Sequence, residues 1–330
     1  MKNYIQGHTP IDQDRPLLPL LKNIDYEPIF ILGDHRSGTT ILYQLLTSAG
    51  CFNYVSFYNI ARYEQVLHNH VIGATEDVKE ELERLLISLG VEDRIFDRVK
   101  VSPDLPEEYG YILWRNAPFW YLPRLNRRNL PNLIELNKKI QFTQNPERPV
   151  LLKGPWDFPN FMFAKRAFPT ARFIFIHRHP LRVINSKLRG MRSALAKKNP
   201  YTALLAPGYG RLFRRPLQLF FARNLFSSNF NLGLRLLTQY SLQAIGYFLT
   251  HVGSLSREKY ISVKYEDLCQ DPEKTINGIL NHFRLRAILN PAYDELIKPR
   301  SPNFLPEIQQ KYKQILKRLE PVIYRYGYNM

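Results

Sequence analysis

The apolar run Pro28-Ile-Phe-Ile-Leu32 ends in Gly33-Asp34-His35-Arg36-Ser37-Gly38-Thr39-Thr40, and the amphipathic run Ile41-Leu42-Tyr43-Gln44-Leu45-Leu46 follows at once. Strand, glycine-bounded loop and helix in this order form the layout of a phosphate cradle. The glycines permit a tight turn, and backbone N–H groups converge with a helix N-terminus on an anion. The nucleoside-triphosphate version of such a loop reads G-x-x-x-x-G-K-[ST]. Here the glycine spacing holds, but Thr39 stands where the lysine belongs. That lysine reaches the β- and γ-phosphates, so its absence argues against ordinary ATP or GTP chemistry. Arg36 returns positive charge to the loop. The loop suits a nucleotide whose terminal group is not a γ-phosphate.

The rest of the chain alternates strands with helices. Strands are expected over 28–33, 53–58, 149–153, 172–177 and 260–265. Helices are expected over 39–49, 76–90, 131–141, 158–168, 180–189, 272–284 and 305–324, the last closing the chain. The segment Arg172-Phe-Ile-Phe-Ile-His177 lacks the polar alternation of a half-exposed strand, as do strands buried on both faces of a parallel sheet. Pro180 suits the first turn of the helix that follows. This alternation predicts an α/β fold, a P-loop-like central parallel sheet with helices on both faces. Ligands of such sheets bind beyond the C-terminal strand ends, where Gly33, Lys153 and His177-Arg178 all fall. With no linker and no repeat, the expectation is one domain over 1–330. Its core is about 28–284, with a basic helical insertion at about 190–230.

Charge is distributed unevenly. The net charge is +17, yet no Asp or Glu occurs between Asp157 and Glu258, an interval with sixteen Lys and Arg. A basic field concentrates a polyanionic nucleotide, but that does not need sixteen cations, so a further anionic partner is expected. In the insertion, Arg211, Arg214, Arg215 and Arg223 accompany Leu212, Phe213, Leu217, Leu219, Phe220, Phe221 and Phe226. Such a mixture can lie peripherally on an anionic membrane, or it can be a helix pair packed on the core with a solvated basic face. No nucleic-acid partner is expected. The two cysteines, Cys51 and Cys269, lack metal-ligand spacing and suit a reducing compartment. The N-terminus has no apolar signal region, and no apolar run reaches the roughly 18 residues of a membrane span. A cytoplasmic location is therefore expected.

Four blocks in order carry a family resemblance. Arg36-Ser-Gly-Thr-Thr40 after a strand resembles the 5′-phosphosulfate loop of sulfotransferases that use 3′-phosphoadenosine 5′-phosphosulfate. Val150-Leu-Leu-Lys153-Gly-Pro155, then Phe168-Pro-Thr-Ala-Arg-Phe-Ile-Phe-Ile-His-Arg178-His-Pro180 and Ser186, are similar to that family's "LLKSP … FPDARFV..HRDP … S" region. Tyr260-Ile-Ser-Val-Lys-Tyr-Glu-Asp-Leu-Cys-Gln-Asp-Pro272 resembles its "Y-EDL…DP" segment. Leu105-Pro-Glu-Glu-Tyr109 resembles the "PEEDE" segment of a bacterial branch, with Tyr109 and Gly110 in place of the last two acids.

The resemblance implies a sulfonate donor of that class and no metal requirement. Gly33, Arg36, Ser37, Gly38, Thr39 and Thr40 would hold the 5′-phosphate and sulfonate. Lys153, at a strand end, would neutralise the leaving oxygen. Arg178 and Ser186 would hold the 3′-phosphate. The acceptor, a hydroxyl or amine on a carbohydrate, lipid or small metabolite, needs a base. Glu107, Glu108, His35 and Asp157 are all candidates; Asp157 stands where the family usually carries histidine. The alternatives are a P-loop kinase-like phosphotransferase and a non-catalytic basic module. Against the first, the strand 173–177 ends in His177-Arg178, not in an acid that could hold Mg²⁺.

Overall fold

A computed structural model describes residues 12–94, 99–113, 124–229, 231–297 and 303–328. Five strands form one sheet: β1 (Pro28–Leu32), β2 (Asn53–Tyr54), β3 (Val150–Lys153), β4 (Arg172–His177) and β5 (Tyr260–Lys264). Their order is β2-β3-β1-β4-β5, and every pairing is parallel. The chain passes from β3 on one side of β1 to β4 on the other. The C-terminal end of β1 is therefore a topological switch point, where a crevice opens between diverging connections.

Side-chain alternation along the strands splits the core into two layers. Phe30, Leu32, Val150, Leu152, Phe173 and Phe175 face one way; Ile29, Ile31, Leu151, Ile174 and Ile176 face the other. On the second face lie α1 (Thr39–Ser48), through Leu42, Leu45 and Leu46, and the helix Pro272–His282, through Ile276, Ile279 and Leu280. On the first face lie α2 (Phe57–Ala61), α3 (Thr75–Ser88), α4 (Leu130–Thr143), α5 (Phe161–Ala167) and α6 (Pro180–Ala196). The same layer includes α7 (Pro200–Leu205), α8 (Pro207–Leu212), α9 (Pro216–Leu225), α10 (Leu232–His251) and the closing helix Tyr312–Ile323. Its centre is aromatic: the Phe175 ring lies 5.1 Å from Phe161 and 4.9 Å from Phe248, both edge-on.

Three departures from the sequence pattern have local causes. The expected strand 53–58 stops at Tyr54, because Ser56 and Asn59 form a reciprocal capping box that opens α2 at Phe57. The expected helix 158–168 becomes a 3₁₀ stretch, Pro155–Asn160, before α5, with Pro159 at a kink. The helix from Pro180 runs on to Ala196, and the insertion beyond it is three short helices, each begun by proline at 200, 207 and 216. The closing segment 305–324 is divided into Pro306–Gln310 and Tyr312–Ile323. Helix α10 was not expected, although its buried Leu234, Thr238, Ser241, Ile245 and Phe248 recur at helical spacing.

Candidate active site

The loop between β1 and α1 is shaped by two glycines with different duties. At Gly33 a Cβ would stand 2.4 Å from both the Ile176 carbonyl oxygen and Ser37 Oγ, so the loop can lie on β4 only without a side chain. Gly38 adopts φ 107°, and a Cβ there would meet the Tyr265 ring at 2.3 Å. Between them Arg36 holds φ 79°, a conformation unfavourable to a side-chain-bearing residue. The Ser37 N–H donates to the Asp34 carbonyl at 2.8 Å, closing the turn. Gly38 is the N-cap of α1 and provides no side-chain cap, and the first turn carries no acid. The positive end of α1 thus faces the loop.

Cations surround this loop from separate elements. Arg36 Nε donates to Ser186 Oγ on α6 at 3.1 Å. The guanidinium of Arg178, just past β4, lies 4.4 Å from the centre of the Tyr265 ring and directs Nη1 at the Arg36 carbonyl, 3.4 Å away. Its Nε is buried without a hydrogen-bond partner, and so is Ser37 Oγ. Arg178 and Ser186, paired in the sequence reading, thus meet the loop separately, with Arg36 as the residue that holds Ser186.

Lys153 ends β3 fully buried, a costly position for an ammonium. Two oxygens compensate: Thr40 Oγ1 at 3.1 Å and Glu108 Oε1 at 3.2 Å. Loop, strand-end lysine and acidic segment are thereby brought into one cluster. The adjacent glutamates part company here. Glu107 is fully buried, pairs with Arg94, accepts from the Tyr201 hydroxyl at 2.7 Å, and takes the Glu108 N–H on Oε2 at 3.0 Å. Glu108 keeps partial exposure and faces Lys153. Glu107 is a brace and Glu108 a reachable carboxylate.

The other two base candidates sit nearby in different states. His35 stacks on Trp156 with ring centres 4.3 Å apart. Burial, followed by Arg36, Lys187 and Lys153, holds its pKa well below the usual histidine range, so the ring is neutral at pH 7. Asp157 is committed elsewhere. It accepts from the Tyr109 hydroxyl at 2.7 Å, the Leu125 N–H at 2.7 Å and Asn160 at 3.3 Å. Burial raises its pKa despite these bonds.

Several participants escaped the sequence reading. Lys187 on α6 is buried, donates to Asp34 Oδ1 at 2.5 Å and Ser241 Oγ at 2.9 Å, and so ties the loop to α6 and α10. Burial pulls its pKa down, against Asp34. Tyr265, Arg94, Tyr201 and Trp156 were likewise unassigned. Their roles arise from tertiary contacts; only the Tyr260–Pro272 block gave a signal, for Tyr265.

The family model for the sulfotransferase family matches residues 28–288. Among solved structures, sulfotransferase STF1 from Mycobacterium tuberculosis H37Rv superposes with a TM-score of 0.60 at 15% identity, over 93% of this chain and 80% of that one. Sulfotransferase STF9 from Mycobacterium avium superposes at 0.61 and 14% identity, over 95% and 80%. No curated protein sequence matches significantly. The parallel sheet, the glycine-bounded loop at its switch point and a family match over most of the length agree: the chain belongs to the sulfotransferase family and is a sulfotransferase.

Proposed function

We propose that the enzyme moves a sulfonate group from 3′-phosphoadenosine 5′-phosphosulfate to a hydroxyl or amine of a carbohydrate, lipid or small metabolite. The observation that carries this reading is the pair of buried donors at the loop without a partner inside the protein, Ser37 Oγ and Arg178 Nε. A multiply charged phosphate ester would satisfy both. Gly33, Arg36, Ser37, Gly38, Thr39 and Thr40 hold the 5′-phosphosulfate, while Arg178 and Ser186 serve the 3′-phosphate.

Glu108 takes the acceptor proton in this reading, with neutral His35 as the alternative acceptor. The acceptor oxygen or nitrogen forms its bond to sulfur, and the bond from sulfur to the phosphate oxygen breaks. Lys153 and the α1 N-terminus meet the charge that grows on the leaving oxygen of adenosine 3′,5′-bisphosphate. Arg and Lys side chains with backbone donors supply this field, and the reaction is proposed to run without a metal.

The unpaired cysteines, Cys51 buried and Cys269 half-buried, favour a cytoplasmic setting. Peripheral contact with an anionic membrane belongs to the same reading, as a route to an amphipathic acceptor. Calorimetric titration with adenosine 3′,5′-bisphosphate and with ATP tests the donor assignment. Tight binding of the bisphosphate alone, and sulfonate transfer that survives EDTA, are expected. Preference for ATP with Mg²⁺-dependent phosphate transfer would overturn the reading in favour of the kinase-like alternative.

A further inference from the structure

Helix α9 has apolar residues on two opposite faces. Leu219 and Ala222 are buried where α9 packs on α6, but Leu217, Phe220 and Phe221 point outward, 74%, 60% and 69% exposed. These three fall at i, i+3 and i+4 and form a stripe along one side of the helix. Phe220 and Phe221 touch edge to face, with ring centres 5.8 Å apart. Exposed Leu232 and Leu236 continue the apolar surface at the start of α10, where Gly233 lies against Leu225 and Phe226. Adjacent large side chains this exposed mark a surface meant for contact.

Charge identifies the contact. Arg211, Arg214 and Arg215 are exposed just before the stripe, and Arg235 lies just beyond it. Arg223 differs: it donates to the Leu195 and Ala196 carbonyls, each at 2.9 Å, and caps the C-terminus of α6. The sequence carries no Asp or Glu from 158 to 257. Exposed rings flanked by exposed arginines fit a surface with anionic headgroups over an apolar layer. No described helix is long and apolar enough to cross a membrane, so α9 would lie along the surface.

We propose that α9 is a membrane-docking helix. Leu217, Phe220 and Phe221 enter the interface of an anionic lipid bilayer, while Arg211, Arg214 and Arg215 engage the headgroups. This deepens the proposed membrane contact but is independent of the donor assignment, because docking needs no nucleotide.

The test is co-sedimentation of the full chain, without nucleotide, with phosphatidylcholine vesicles containing or lacking phosphatidylglycerol. Expected is binding to the anionic vesicles at least about tenfold stronger than to the neutral ones, and lost in high salt. The double variant Phe220→Ser, Phe221→Ser and the triple variant Arg211→Gln, Arg214→Gln, Arg215→Gln should each weaken binding about tenfold. Circular dichroism and Tm, unchanged, would show that both remain folded. Absence of binding to anionic vesicles at low salt overturns the proposal. So does full retention by the phenylalanine variant, since headgroup attraction alone would then explain the binding. A dimer in sedimentation velocity that the phenylalanine variant dissolves would instead assign the face to a second copy of the chain.

Discussion

Lys153 Nζ lies 3.2 Å from Glu108 Oε1, with the lysine side chain wholly buried and the glutamate side chain 17% exposed. The cation is fixed from behind by β3, and the carboxylate is the member of the pair that solvent or an acceptor can reach. Glu108→Gln should therefore lower kcat by about 10²–10⁴-fold, the range for a general base, with donor affinity nearly unchanged. Lys153→Ala should lower kcat more than it weakens bisphosphate binding, because the leaving-oxygen charge grows in the transition state. Steady-state kinetics beside calorimetric binding checks both.

The neighbouring glutamate should behave differently. Removing the Glu107 charge takes this ion pair from buried Arg94 and leaves the Tyr201 hydroxyl facing an altered acceptor. Glu107→Ala should cost on the order of 3–5 kcal/mol of folding stability, read from urea unfolding. Glu108→Gln should cost far less. Equal stability losses in the two would contradict the assignment of brace and base.

Arg178 should distinguish nucleotides by their 3′ end. Arg178→Ala is expected to weaken adenosine 3′,5′-bisphosphate by about 1.5–3 kcal/mol, as for a charged hydrogen bond, and adenosine 5′-phosphate much less. Arg36→Ala should weaken both, because Arg36 belongs to the loop itself. Titration of the two ligands against the two variants gives the comparison.

Acid should destabilise the fold through His177. Its ring is buried against Tyr326, with Nδ1 2.7 Å from the hydroxyl, and burial lowers its pKa to about 3. Below the unfolded pKa of about 6.5 the unfolded chain binds a proton that the native state refuses. Stability from this group is thus complete above about pH 6.5 and declines as pH falls towards 3. The slope approaches about 1.4 kcal/mol per pH unit. His177→Gln should flatten the curve between pH 6 and 4, as measured by chemical denaturation at each pH.

The legible parts of the molecule were those written in consecutive residues. Gly33 through Thr40 could be read because a strand, a turn and a helix adjoin in sequence, and β3 and β4 because their uninterrupted apolar runs suit full burial. The segment after Tyr54 was misread since its strand-like residues are overruled by one side-chain cap, Ser56 with Asn59. Lys187 was invisible for another reason. Nothing near it announces that Asp34, 153 positions away, will meet it in the core. The separation of Glu107 from Glu108 likewise depends on Tyr201, 94 positions on.

That last contact changes what kind of segment follows α6. Tyr201 stands at the start of α7, its ring stacked on Phe57 at 5.3 Å and its hydroxyl on Glu107. The segment looks like an appendage in the sequence, yet it braces Glu107, which in turn takes the Glu108 N–H. A shortened enzyme lacking it would lose the geometry of Glu108 along with the surface helix. A chimaera carrying a relative's segment would need that segment to bring its own hydroxyl to the same carboxylate. One segment thus carries both the support of Glu107 and the exposed helix α9, and its removal would take away the two together.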